Sequence, residues 1–397
     1  MKIPLSLSSP TGVLVLSMLA VAGCATERRP ENVEPVASGG AYQAQYRSPD
    51  PKETQTSKAL NAASCRAPAG GASRKTQSPG ALRGEALSRG DLLDIRILGD
   101  ETFSHAYEVS QDGTVKLPFI GAVPAAGRST ASVQDTISER LMARGLYQTP
   151  PEISVLVSDF GSVRVGVAGA VFEPHAVELG LRGDTIDARR QEAFGSSTEA
   201  RSLSAALRAA GGVRPDADLS AVRVQRGGTA YLVDMRGAID GTGFEDVMLI
   251  AGDQVTVPAR GCFQEELMVP SPISPPGISL FLSNLTQPAT GNAPSAISND
   301  ARQVPYGTRY LQAVINANCV GGVLATSASR SAALLSHNPV TGVSVVIQRR
   351  IEDLMTRADR DEYDPYLLPG DAIACYDSAV TNIADVARVV GSVLGSP

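Results

Sequence analysis

The sequence predicts an α+β fold built mainly from short strands, and three observations carry that prediction. Composition is the first: 38 Gly and 26 Pro with no Trp in 397 residues favour turns and short strands over long helices. Second, short runs alternate apolar and polar residues, as in Leu93-Asp94-Ile95-Arg96-Ile97 and Val163-Arg164-Val165-Gly166-Val167. Third, helical spacing surfaces only in brief stretches such as Val133, Ile137 and Leu141, and glycine follows soon after, here at Gly145. A hydrophobic content of 43% is ordinary for globular protein.

Charge removes one function class. Lys and Arg total 35 against 41 Asp and Glu, a net charge of −6 with no basic stripe, so the electrostatic footprint of nucleic-acid binding is missing.

Taken in order, residues 1–23 carry Lys2 and then an apolar run from Gly12 to Gly23, the length of a signal-peptide core and too short to span a bilayer. The run ends Val21-Ala22-Gly23-Cys24, which resembles the bacterial lipobox; the resemblance implies cleavage before Cys24 and lipidation of its thiol, with palmitate among the acyl chains. Ala25 stands where an aspartate would signal inner-membrane retention, so the same resemblance implies sorting to the outer membrane. Residues 24–85, rich in Ala, Ser, Gly, Pro and charge, hold no sustained period and predict a flexible tether.

Residues 86–160 predict a small domain. Leu93, Ile95 and Ile97 form one strand and Val115 and Leu117 another, with Asp112-Gly113 as the intervening turn. A helix follows, capped by Ser129 or Thr130, and Ile153, Val155 and Val157 close the domain after Pro150-Pro151.

Residues 161–261 and 262–377 read as two copies of one unit. Val163, Val165, Val167 and Gly169 correspond to Ile278, Leu280, Leu282 and Asn284. Leu203, Ala206, Leu207 and Ala210 before Gly211-Gly212 correspond to Leu311, Val314 and Ile315 before Gly321-Gly322. Val222, Val224, Gln225 and Arg226 align with Val345, Ile347, Gln348 and Arg349, and Gly252-Asp253 aligns with Gly370-Asp371. The expected order in each copy is strand, helix, strand, strand. An insertion from Leu181 to Ser202 interrupts the first copy, and Pro270 to Pro276 separates the two.

Gly90-Asp91, Asp112-Gly113, Val115, Leu117-Pro118, Ile120-Gly121 and Val123 resemble the signature of the outer-membrane polysaccharide export (OPX) family, the Wza-like proteins. That resemblance implies a polysaccharide-export domain at 86–160, two β-grasp-like SLBB domains at 161–261 and 262–377, and a C-terminal amphipathic helix at 378–397. It also implies a homo-oligomeric ring, an octamer, that passes capsular polysaccharide or exopolysaccharide to the cell surface. The partners it implies are an inner-membrane polysaccharide copolymerase or tyrosine autokinase, the polysaccharide, and outer-membrane lipid.

Val380, Ile383, Val386, Val390, Val393 and Leu394 gather on one half of a helical wheel, opposite Thr381, Asp385, Arg388 and Ser392. At about 1.5 Å per residue, Ala379 to Gly395 spans roughly 25 Å, near the thickness of a thin hydrocarbon core. Asp385 and Arg388 would cross lipid poorly alone, whereas a ring of such helices turns the apolar face to lipid and lines a wet lumen with Thr381, Asn382, Asp385, Arg388 and Ser392. The second arrangement is a helix lying on the protein body or in the interface. Porin activity and ion transport through the ring follow from the first.

Four cysteines remain after Cys24, and export to an oxidising compartment favours their pairing. Three connectivities are open. Cys319 with Cys375 is the preferred pair, since both fall in one copy while Cys65 falls in the expected tether. His105, His175 and His337 are scattered, so neither metal nor other cofactor is expected. Because G-x-S-x-G, P-loop and H-E-x-x-H motifs are all missing, no enzymatic activity is expected. Glu352-Asp353 and Asp361-Glu362 are paired carboxylates that read as solvated surface. The alternative function is a periplasmic glycan-binding or scaffold lipoprotein that forms no pore.

Overall fold

The computed structural model describes residues 41–47, 55–75, 77–180, 199–284, 302–317, 319–320 and 330–376. Contacts divide the chain into two units, Asn61–Pro276 and Met1–Leu60 with Gly277–Pro397. Among the described residues the architecture is mixed: four small sheets and a few short helices, in keeping with the α+β class.

Short helix α1 (Ser57–Ala63) precedes the first sheet, in which β1 (Leu92–Ile97) runs between β2 (Asp100–Glu108) and β5 (Ile153–Asp159), antiparallel to both. Between these come a separate hairpin, β3 (Thr114–Leu117) with β4 (Gly121–Pro124), and helix α2 (Thr130–Ala143). Ser129 caps α2 by accepting the Ser132 N–H, and Gly145 at φ 70° follows its end. Val133, Ile137 and Leu141 are fully buried, so the i, i+4, i+8 spacing seats one face of α2 on Leu93, Ile95, Val115, Val123 and Val157. Asp112 Oδ1 accepts both the N–H and the hydroxyl of Thr114, fixing the turn in which Gly113 takes φ 78°.

The second sheet comprises β6 (Val163–Gly169), β7 (His175–Leu179), β8 (Val222–Arg226), β9 (Thr229–Val233) and β10 (Gln254–Val257), in the order β7-β6-β10-β8-β9. Helices α3 (Leu203–Ala209) and α4 (Gly237–Asp240) lie in its connections. Val163, Val165, Val167, Leu203, Leu207, Val224, Val255 and Val257 share one core. Met248 and Ile250, just before β10, belong instead to the core around α2, so the first sheet and this one are joined by apolar packing.

The third large sheet repeats the second. Its strands β11 (Ile278–Asn284), β12 (Arg302–Val304), β13 (Ser331–His337), β14 (Ser344–Arg350) and β15 (Ala372–Tyr376) are ordered β12-β11-β15-β13-β14. Helices α5 (Tyr310–Asn316) and α6 (Ile351–Thr356) accompany it. In both sheets the first and last strands pair in parallel at the centre, and every other pairing is antiparallel.

Four sequence expectations differ from this. Each copy runs strand, strand, helix, strand, strand, helix, strand, because a hairpin partner stands on both sides of the first helix and a second short helix precedes the last strand. The V-x-[VI]-Q-R alignment joins strands that are not equivalent: Val222–Arg226 is β8, inside its sheet, while Val345–Arg349 lies on β14, the edge strand. Buried Val, Gln and Arg at period 2 suit either place, so pattern alone misleads there. Residues from Cys262 to Pro276, expected in the second copy, stay in the first unit, where Leu267 and Ile273 enter the core of the second sheet. Finally, α5 buries Tyr310, Ala313 and Val314 while Ile315 is half exposed, one step round from the expected face.

Candidate functional site

Three Gly-Asp turns lead into the strands at the heart of the large sheets. Gly90, Gly252 and Gly370 have φ of 84°, 90° and 87°, which only glycine adopts cheaply. In each turn the aspartate Oδ2 accepts the backbone N–H three residues back: Ser88 to Asp91 at 2.6 Å, Ile250 to Asp253 at 3.0 Å and Leu368 to Asp371 at 2.9 Å. All three aspartates are buried, so each clamps its turn from the inside.

What neutralises them differs. Asp91 Oδ1 receives Arg201 Nη1 at 2.7 Å and the Gly161 N–H at 3.0 Å, and Arg201 also lies 5.2 Å from the Phe160 ring centroid. Burial pushes the Asp91 carboxyl up, opposed by Arg201 and the two backbone donors. Asp253 is held by a bidentate Arg226, whose Nη2 also donates to Met248 O at 2.8 Å. Asp371 has no guanidinium: Ser336 and the Leu368 N–H are its polar neighbours, its Oδ1 lacks a hydrogen-bond partner, and burial pushes its carboxyl up to about 7.

A second feature overturns the expected tether. The described residues at 41–47, 55–75 and 77–85 are held at many points by groups far along the chain. Within the second unit, Gln43 and the Tyr366 backbone exchange two hydrogen bonds, at 2.8 and 2.9 Å, and the buried Tyr46 hydroxyl meets Ser336 Oγ at 2.9 Å. Arg349 Nη2 donates to the carbonyls of Gln45, Tyr46 and Arg47, with its guanidinium 4.1 Å from the Tyr363 ring. Within the first unit, Asp218 accepts the Ala69 N–H, Asp234 the Lys75 N–H and Glu245 the Ser78 N–H. Cys65 is bonded to Cys262, and Leu82 is buried in the core of the second sheet. The composition that reads as a tether is that of a backbone-recognised strap, whose donors are met by carboxylates far along the chain.

A cavity of about 260 Å³ lies where this strap passes Ala217 to Ser220, lined in part by Arg74, Arg236, Arg260 and Leu267. Its guanidiniums are engaged: Arg74 with Asp240, Arg236 with Asp234, and Arg260 with Gln264 Oε1 at 2.8 Å.

Of the residues singled out in the sequence, Cys319 and Cys375 are disulfide-bonded and buried. Cys24, the pore-lining set Thr381, Asn382, Asp385, Arg388 and Ser392, and the lipid-facing set Val380, Ile383, Val386, Val390, Val393 and Leu394 lie outside the described residues. Among the described residues no helix is long and apolar enough to cross a membrane, and no cluster of His, Cys, Asp or Glu is arranged to hold a metal ion. Sequence reasoning missed Arg201 and the anchoring role of Arg349. Arg201 sits at the end of a stretch that reads as insertion, and only folding brings it to Asp91.

Residues 83–158 match the family model described as polysaccharide biosynthesis/export protein. No curated protein matches the chain. The matched stretch holds the first Gly-Asp turn, the sheet β2-β1-β5, the β3–β4 hairpin and α2, and over that stretch the chain is similar to proteins that make or export polysaccharide.

Proposed function

We propose that this chain is a subunit of an outer-membrane translocon that conducts capsular polysaccharide or exopolysaccharide from periplasm to cell surface. The match over residues 83–158 carries the reading. The two sheets of identical strand order support it as tandem β-grasp, SLBB-like domains that follow the matched domain in the chain. Their architecture suits a wall: aspartates spent on turns, guanidiniums spent on carboxylates and carbonyls. A conduit for a hydrated polymer calls for width and a polar lining more than for a shaped pocket.

In this reading Cys24 carries the lipid anchor, and copies of the chain close a ring in which the segments at 378–397 cross the outer membrane. Asp385 and Arg388 then form charged rings in the lumen. An inner-membrane polysaccharide copolymerase or tyrosine autokinase meets the periplasmic end, and the reading contains no catalytic step and no cofactor.

Deleting residues 378–397 is the test. The full-length protein in detergent is expected as a ring that conducts ions in planar bilayers, and the truncated one as a non-conducting protein that no longer supports export. Export by the truncated chain, with no conductance from the full chain, would leave a non-porous periplasmic glycan-binding or scaffold lipoprotein.

A further inference from the structure

The third Gly-Asp turn breaks a rule that the other two keep. Register fixes the comparison: Gln225 opposite Gln254 puts Arg226 across from Asp253, and Leu335 opposite Ala372 puts Ser336 across from Asp371. Where the first copy has a guanidinium, the second has a hydroxyl. That hydroxyl is tied to the strap, since Ser336 Oγ lies 2.9 Å from Tyr46 Oη, while the register sets Ser336 across from Asp371. Asp371, 1% exposed, is therefore a buried carboxyl whose link outward runs through Ser336 to Tyr46.

We propose that Asp371 is the protonation switch of the N-terminal strap, with the neutral carboxyl holding Tyr46 docked on the second repeat and the carboxylate releasing it. A charged Asp371 left under the strap would be an ion without a counter-ion, and opening the strap admits water to it. In the neutral form the carboxyl is an additional donor, and Ser336 and Tyr46 can reorient their hydroxyls to complete the chain.

The surrounding ionisable groups are committed elsewhere. On β14, Arg349 serves the carbonyls of residues 45–47, with Tyr363 against its guanidinium and Tyr310 of α5 nearby. His337 on β13 is exposed and bonded to Ser344, while Glu362 holds Ser57. Tyr306 is buried before α5, its hydroxyl pushed far above the ordinary range by burial. From β11 the contacts to this turn are backbone ones: the Phe281 N–H donates to Asp371 O, and Ser279 O accepts the Gly370 N–H. Asp364 is the one competitor in the same pH range: burial pushes it up to about 6, against the Leu311 N–H and Arg309.

The sign follows from linkage. An acid whose folded pKa is raised stabilises the docked strap at low pH, and that stabilisation falls as pH rises toward the folded value of about 7. Hydrogen exchange of the Tyr46 and Arg47 amides, which bond Gln43 O and Ala44 O, reads the opening. After correction for intrinsic exchange, the opening constant of the full chain is expected to rise about tenfold per pH unit from pH 5 to 7 and to level off above. Asp371→Asn is expected to abolish the slope and keep the low-pH protection, and Asp364→Asn to leave the slope above pH 6 intact. A flat wild-type profile, or a slope that survives Asp371→Asn and vanishes in Asp364→Asn, would overturn the proposal. Should Asp371→Asn not fold, Ser336→Ala decides: with the hydroxyl between Asp371 and Tyr46 removed, the slope of the opening constant is expected to flatten, and an unchanged slope overturns the proposal.

Discussion

Arg201 Nη1 stands 2.7 Å from Asp91 Oδ1 with both side chains essentially withdrawn from solvent, so the end of one connection in the first repeat neutralises the turn that opens the matched domain. Phe160 lies against the same guanidinium, and Leu249 O accepts from its Nε at 3.3 Å.

Removing that guanidinium isolates a buried charge. Arg201→Met is expected to cost about 3–5 kcal/mol, because Asp91 keeps its desolvation and loses its counter-ion. Urea denaturation followed by circular dichroism measures it. A cost under about 1 kcal/mol would mean that the Ser88 and Gly161 N–H groups suffice for Asp91.

Gly169 sits where two backbones approach closely. Its φ is 91°, and a Cβ there would stand 2.1 Å from Val257 O on the parallel partner strand. Gly169→Ala should therefore lower the urea midpoint by the equivalent of about 2 kcal/mol or more. Gly113→Val is expected to act similarly on the β3–β4 hairpin, through positive φ and the Ala126 methyl 3.1 Å from its Cβ.

The Cys65–Cys262 bond closes a long loop, with a sequence separation of 197. Replacing both cysteines by serine is expected to cost about 3–5 kcal/mol if loop entropy dominates, and to expose the strap to limited proteolysis between Arg66 and Lys75. Peptide mapping of the first cleavage site checks this. First cleavage elsewhere would assign the strap's hold to Asp218 and Asp234 instead.

Asp364 gives stability a pH slope of its own. With its carboxyl raised from 3.8 to about 6 by burial, its contribution is complete near pH 4 and is lost progressively as pH rises to about 6. Urea midpoints between pH 4 and 7 should fall for the wild type and fall less for Asp364→Asn.

Much of this fold could be read from local pattern. The α2 face at Val133, Ile137 and Leu141, the Asp112-Gly113 turn, and the strands around Leu93, Val163 and Ile278 all rest on neighbours in sequence. Tertiary partners were less legible. Arg226 was visible as part of a strand motif, yet its pairing with Asp253 depends on sheet order, and the motif's apparent twin at Arg349 faces the strap carbonyls instead. The strap was illegible for a physical reason: its backbone donors are satisfied by side chains such as Asp218, Asp234 and Glu245, which leave no periodic mark on residues 61–85.

The strap also sets an order of events. Tyr46 O waits for Arg349, 303 residues later, and Cys65 for Cys262. Synthesis delivers these residues before their partners: the lodging of residues 61–75 and 77–85 exists only after the first repeat has folded, and that of residues 41–47 only after the second. Each stretch of the strap is thus fastened by partners made well after it, and its attachment reports that the repeat receiving it has folded.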